Sequence, residues 1–120
     1  MRVMFDYIVS EQSNQFDFIR IPRALITERF FSNLSLQAKV LYGILMDRMA
    51  LSSSNNWLDQ EGRVFIVYPI DEIQIDTGLS KRKILEYMSE LEKLGLIERR
   101  KRGNGKPNCI YVKNFIMGIR

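Results

Sequence analysis

Apolar residues change their spacing along this chain from two to three and four and back again, and each change of period marks a new element. From Phe16 to Ile21 apolar and polar positions alternate as in a half-buried strand, which Pro22 then ends. Beyond Thr27 to Asn33, Ser35 is placed to cap a long helix. There Leu36, Val40, Leu41, Ile44, Leu45 and Met49 recur at helical spacing and form one broad apolar face, so this is the expected central core helix. Ser52 to Asn56 reads as a loop. Asp59-Gln60-Glu61-Gly62 reads as a turn between Trp57-Leu58 and Arg63 to Tyr68, which makes a hairpin. Pro69 opens the next helix, with Asp71 and Glu72 complementing its dipole and Ile70, Ile73 and Ile75 supplying apolar contacts.

The stretch from Asp71 to Lys113 is the most informative. A helix is followed by Thr77-Gly78-Leu79-Ser80, in which glycine permits a tight turn and Ser80 can cap a second helix. Lys81, Arg82 and Lys83 crowd the first turn of that helix, where the positive end of the dipole makes cations unfavourable; an external anion would resolve the conflict. Ile84, Leu85, Met88, Leu91 and Leu94 form the stripe expected to face the core. The opposite face is expected to carry Lys81, Arg82, Lys83, Glu86, Tyr87 and Glu90. Leu96-Ile97 then lead into Glu98-Arg99-Arg100-Lys101-Arg102, a tip of Gly103-Asn104-Gly105-Lys106-Pro107-Asn108, and the β-rich Cys109-Ile110-Tyr111-Val112-Lys113. This is a second hairpin with a basic, backbone-flexible tip.

The order helix, turn, basic-headed helix and basic hairpin is that of a winged helix-turn-helix. The expected fold class is therefore α+β, mainly α, with a central core helix, small β-hairpins and a C-terminal basic wing. Such a domain docks its second helix in a major groove and lays its wing along phosphates. On that reading Ser80, Lys81, Arg82, Lys83 and Tyr87 read or flank bases, while Arg99, Arg100, Lys101, Arg102, Asn104 and Lys106 hold phosphates. Two plainer readings compete: a solvated amphipathic helix, and basic residues that protect an edge strand from unwanted pairing. Gly105-Lys106 is no phosphate-binding P-loop, because Pro107 stands where that motif needs Ser or Thr.

Charge distribution favours the polyanion reading. Between Ser80 and Arg120 there are eleven Lys and Arg against four Glu, a balance of +7, while the other residues balance at −3, giving the net +4. A length of 120 residues with 46% hydrophobic content suits one core and no second domain. Asp6 interrupts the apolar patches of the first ten residues and no long apolar run follows. Neither a secretion signal nor a membrane span is expected, and the expected location is cytoplasmic. Cys109 is the only cysteine and there is no histidine, so no disulfide, cofactor or metal site is expected, and Cys109 is read as a packing residue. With the commonest general base missing and no paired nucleophile, no enzyme is expected. Phe30, Phe31, Tyr42 and Trp57 are read as core packing.

A family resemblance covers nearly the whole chain, from Phe16 to Phe115. Its blocks are Ile21 to Leu25, Leu34 to Met49, Asp59 to Ile66, Leu91 to Arg99 and Gly105 to Phe115. The last two occur in many winged helices; the core-helix pattern Tyr42-Gly43-x-Leu45-x-Asp47-Arg48-Met49 is far more specific. Together they resemble the N-terminal domain of the plasmid replication initiator protein A family (RepA N-terminal domain) of low-GC Gram-positive bacteria. The resemblance implies binding of double-stranded DNA at origin repeats, usually as a homodimer, to start replication of a plasmid or conjugative element. It also implies that host replication proteins are recruited through a further C-terminal region. Gly43, Asp47, Arg48 and Gly62 are read as structural, with a buried Asp-Arg pair in the core helix, and contact with DNA is the alternative for them. Residues 1–15 form an N-terminal segment whose Val3, Met4, Phe5, Tyr7, Ile8 and Val9 are candidates for dimerisation. Residues 16–115 form the DNA-binding domain, and 116–120 read as a tail leading to the missing region. A winged-helix transcription regulator, and a winged helix whose basic face meets an acidic protein, are the alternatives.

Overall fold

The computed structural model describes residues 4–9 and 16–114, and the expected tail at 116–120 lies outside them. Among the described residues, four α-helices precede a two-stranded antiparallel sheet: α1 (Arg23–Thr27), α2 (Leu36–Arg48), α3 (Ile70–Thr77), α4 (Lys81–Leu94), β1 (Ile97–Arg100) and β2 (Cys109–Val112). Short 3-10 turns at Arg29–Phe31 and Met49–Leu51 flank α2. The expected winged helix-turn-helix is present, with α3 and α4 as the helix pair and β1–β2 as the wing. Register pairs Ile97 with Val112 and Arg100 with Cys109.

The core is formed where α2, α4 and the sheet meet. Leu25, Leu41, Leu45, Ile66, Ile73, Ile84, Met88 and Leu91 are almost fully buried. Each such side chain contributes about 1.5–3 kcal/mol by leaving water. Ser35 caps α2, its Oγ accepting from the Ala38 N–H at 3.1 Å. Glu90 of α4 accepts both the Ser35 N–H and the Ser35 hydroxyl, each at 2.8 Å. The carboxylate that usually completes such a cap lies three residues on in the same helix; here it comes from another helix, 55 residues away, and fastens α4 to α2. At the other end of α2, Arg48 pairs with Glu72 at 2.6 Å, donates to the Val67 carbonyl and stacks on Tyr68 at 4.3 Å. That ties α2 to the start of α3. The Tyr68 hydroxyl donates to Asp76; burial first, then this bond, pushes the phenol well above its usual range.

Several expectations are corrected. Residues 16–20 are exposed and lie outside any strand, so the expected strand is absent; an extended segment becomes a strand only where a neighbour supplies the other half of the ladder. Its end passes so close to α2 that a Cβ on Gly43 would meet Ile21 Cγ1 at 2.8 Å and the Arg20 carbonyl at 3.0 Å. On α2 the buried positions are Ala38, Lys39, Leu41, Tyr42, Gly43 and Leu45, while Leu36 and Val40 are exposed. Asp47 is exposed and the partner of Arg48 is Glu72, so there is no buried Asp-Arg pair. Ile75 is 81% exposed and Phe30 also lies outside the core, edge-on to Phe31. The hairpin expected at 57–68 closes through one bridge, Leu58 to Val64; Ile66 then bridges Ile110 and joins this segment to the wing.

Candidate nucleic-acid interface

The turn between α3 and α4 is built by local chemistry. Gly78 ends α3 in the left-handed region at φ 76°, with its N–H on the Gln74 carbonyl. Thr77 Oγ1 donates to the Ile73 carbonyl and accepts from the Leu79 N–H. Ser80 Oγ then accepts from the Lys83 N–H at 3.2 Å and starts α4. Lys81, Arg82 and Lys83 are all exposed and, among the described residues, have no acidic partner. Three uncompensated cations therefore stand on the positive end of the helix dipole, an arrangement that only an outside anion improves.

Tyr87 does not stand with them. It is 8% exposed and packs in the core with Ile84, Met88 and Leu91, so its expected position on the outward face is corrected. The spacing carried the signal: 84, 87, 88 and 91 are the i, i+3, i+4, i+7 positions of one helix face. Leu85, expected in the core stripe, is 37% exposed and shares the outward side with Arg82 and Glu86. Leu94 is likewise part-exposed, and Glu90 is half-buried against Ser35.

The wing divides its cations into two sets. Arg99 donates from Nη2 to Glu92 at 2.7 Å, and its backbone N–H also reaches that carboxylate at 3.1 Å. Both bonds hold the Glu92 carboxyl below its ordinary range. Arg100 pairs with Glu98, which also takes Lys113 at 3.3 Å, and these partners lower the Glu98 carboxyl. Lys101, Arg102 and Lys106 are exposed and have no carboxylate partner among the described residues; the Arg102 guanidinium lies 5.5 Å from the Phe65 ring. Between them Gly103, Asn104 and Gly105 all have positive φ (74°, 52° and 72°), and the Lys106 N–H closes the tip on the Gly103 carbonyl. Asn104 thus has a backbone role at the tip.

Residues outside the expected site hold the wing root. Asp59 accepts from the N–H groups of Glu61 and Arg63, from Arg63 Nε at 2.8 Å and from the Tyr111 hydroxyl at 3.0 Å. Burial works to raise this carboxyl, but the hydrogen bonds outweigh it and hold it down at about 2. Tyr111 is flanked by the guanidinium groups of Arg100 at 4.8 Å and Arg63 at 5.5 Å, and meets Phe65 edge-on at 6.0 Å. No periodicity announces this cluster, because its members come from separate turns and strands.

Fold and side chains together define a winged helix-turn-helix domain with two basic elements, a helix head and a wing tip. The family model for the N-terminus of replication initiator protein A (RepA) matches residues 17–120, and the chain belongs to that family. It is 28% identical over 91 residues to a 41 kDa protein of Lactobacillus helveticus, a match covering 76% of this chain and 26% of the relative. The chain thus spans about a quarter of the length of that curated relative. Among solved structures it is similar to an N-terminal domain of a DNA binding protein, with a TM-score of 0.76, 30% identity and coverage of 92% of this chain and 85% of the other. A structure of a Rep-DNA complex gives a TM-score of 0.76 at 30% identity, covering 91% and 84%. The structure of an MDR initiator gives 0.73 at 28%, covering 91% and 86%.

Proposed function

We propose that this domain binds repeated double-stranded DNA sequences at a replication origin and so marks the site at which replication of a plasmid or conjugative element begins. The observation that carries the reading is the triplet Lys81, Arg82 and Lys83, without an acidic partner among the described residues, at the head of the second helix of the helix-turn-helix pair. On this reading that turn enters the major groove, where Arg82 is the candidate base reader and its neighbours flank it. Lys101, Arg102 and Lys106 lie along the backbone and set register without reading sequence. Family membership and the likeness to a Rep-DNA complex support the same reading.

The assembly is proposed to be a homodimer. Met4, Phe5, Tyr7, Ile8 and Val9 are all exposed, Phe5 at 92%, and such an apolar segment gains from burial against a second copy. Host replication proteins would be recruited through other parts of the full-length protein. Among the described residues no helix is long and apolar enough to cross a membrane, and a cytoplasmic location fits a partner that is DNA. The reading gives the domain a binding role with no catalytic step and no cofactor.

A fluorescence-anisotropy titration against the origin repeats of the parent element and a scrambled duplex, at two salt concentrations, tests the proposal. Tighter binding to the repeats by roughly 1000-fold, with a steep salt slope, is expected. Equal and weak binding to both duplexes would remove it and favour an acidic protein partner. Tight binding to a promoter operator in place of the repeats would favour a transcription regulator. Sedimentation of the same complexes gives the number of protomers per site, and a single protomer at high concentration removes the dimer.

A further inference from the structure

We propose that Tyr111 is a positioning residue for the wing: its ring, held between Arg63 and Arg100, and its hydroxyl, bonded to Asp59, set the angle at which the tip is presented. The inference rests on the DNA-binding reading and deepens it by separating the cations that meet DNA from the groups that aim them. Tyr111 lies on β2 opposite Glu98 of β1, so it is at the root of the hairpin, on the strand that returns from the tip. Its three polar neighbours belong to two segments. Arg100 is the last residue of β1, and Asp59 and Arg63 come from the two sides of the turn before α3. Phe65, one residue before the bridge at Ile66, packs against the same ring and takes Arg102 on its own ring. A two-stranded hairpin alone is marginal in water, so its direction depends on what braces its root. Here the brace is this ring, its two flanking cations and one carboxylate.

The charges at the root leave little for DNA. Arg63 pairs with Asp59 and Glu61, and Arg100 and Lys113 with Glu98, whereas Lys101, Arg102 and Lys106 have no carboxylate partner among the described residues. Removing Tyr111 therefore changes no charge yet misdirects three.

The test is the salt dependence of repeat binding by the whole chain, measured together with its thermal melting. Tyr111→Leu is expected to weaken binding about tenfold and to make the salt slope shallower by about 1 to 3, one unit for each phosphate that the wing no longer reaches, in a protein still folded at the assay temperature. Tyr111→Phe keeps the ring but loses the hydroxyl bond to Asp59, and is expected to make the slope shallower by less than Tyr111→Leu does. Asp59→Asn gives the sharper sign. Losing a negative charge would tighten DNA binding if charge alone mattered, whereas loss of the brace weakens it and flattens the slope. An unchanged slope in folded Tyr111→Leu, or tighter binding by Asp59→Asn, overturns the inference. If Tyr111→Leu does not fold, Asp59→Asn decides. Replacing Lys101, Arg102 and Lys106 by Gln tests the reading beneath: no effect there means that the wing does not meet DNA at all.

Discussion

Two regions of this molecule are both rich in Lys and Arg and physically opposite. The first turn of α4 holds Lys81, Arg82 and Lys83 with no acidic partner among the described residues, on the end of a helix that already carries positive charge. The root of the wing holds Arg99 and Arg100, each against its own carboxylate, Glu92 and Glu98. The first region is arranged at a cost to the folded domain and the second for its benefit. Charge written in a sequence is therefore not charge available to a ligand; what separates the two is whether the fold brings an acid alongside.

The largest effect should come from removing the costly charges. Replacing Lys81, Arg82 and Lys83 together by Gln is expected to lower affinity for the origin repeats about 100-fold and to make the salt slope shallower by roughly 2 to 3. Folding stability should hold or rise by up to about 1–2 kcal/mol, because cations at a helix N-terminus oppose its dipole. Anisotropy and thermal melting check both halves. Weaker binding accompanied by clear destabilisation would mean that the triplet braces the fold, and the contrast between the regions would fail.

A paired substitution tests the contrast within the wing, with smaller effects. Arg99→Gln should cost about 1 kcal/mol of stability, the value of a part-exposed ion pair and its hydrogen bond, and leave the salt slope nearly unchanged. Lys101→Gln, two residues further on, should do the reverse: a slope shallower by about 1 with little change in melting. If both behave as Lys101→Gln is expected to, pairing with Glu92 is no barrier to phosphate binding.

Legibility follows the same division. Ser80, Gly78, the α4 period and the glycine-rich tip can be read from sequence because caps, turns and amphipathic faces are set by residues a few positions apart. Tyr87 is misplaced when a polar-tipped aromatic is sorted by its chemistry, although its spacing already puts it with Ile84, Met88 and Leu91. Leu36 and Val40 mislead in the opposite sense: their hydrophobicity suggests the core, but α2 turns Ala38, Leu41, Tyr42 and Leu45 inward. The segment from Phe16 alternates as a strand does and has no partner edge among the described residues. Glu90 on Ser35, Glu92 on Arg99, and Asp59 on Tyr111 join residues 55, 7 and 52 positions apart, and no local pattern encodes the first or the last. The cations are plain in the sequence, and only the fold shows which of them already have a partner.

The smallest expected effect is one of pH, and it separates the two regions without changing a charge at either set of cations. Asp59, held at about 2 in the folded wing root, belongs in the unfolded chain near the ordinary aspartate value of about 4. A depressed carboxyl contributes stability that is fully present above the unfolded value and is lost as pH falls through the folded one, so the loss runs from about pH 4 to about pH 2. Glu92 and Glu98 are depressed in the same direction and add to it. The head of α4 is capped by the Ser80 hydroxyl, which does not titrate in this window. Acidification should therefore loosen the wing root first: the Arg63 and Arg99 amides should lose hydrogen-exchange protection relative to the Lys83 amide as pH falls below about 4. The gap in melting temperature between the natural protein and Asp59→Asn should close over the same interval. A gap that stays constant from about pH 6 to about pH 2 would show that the ionised Asp59 carboxylate gains nothing from Arg63 and Tyr111 in the folded root, and the proposed division between braced and free cations would lose its anchor.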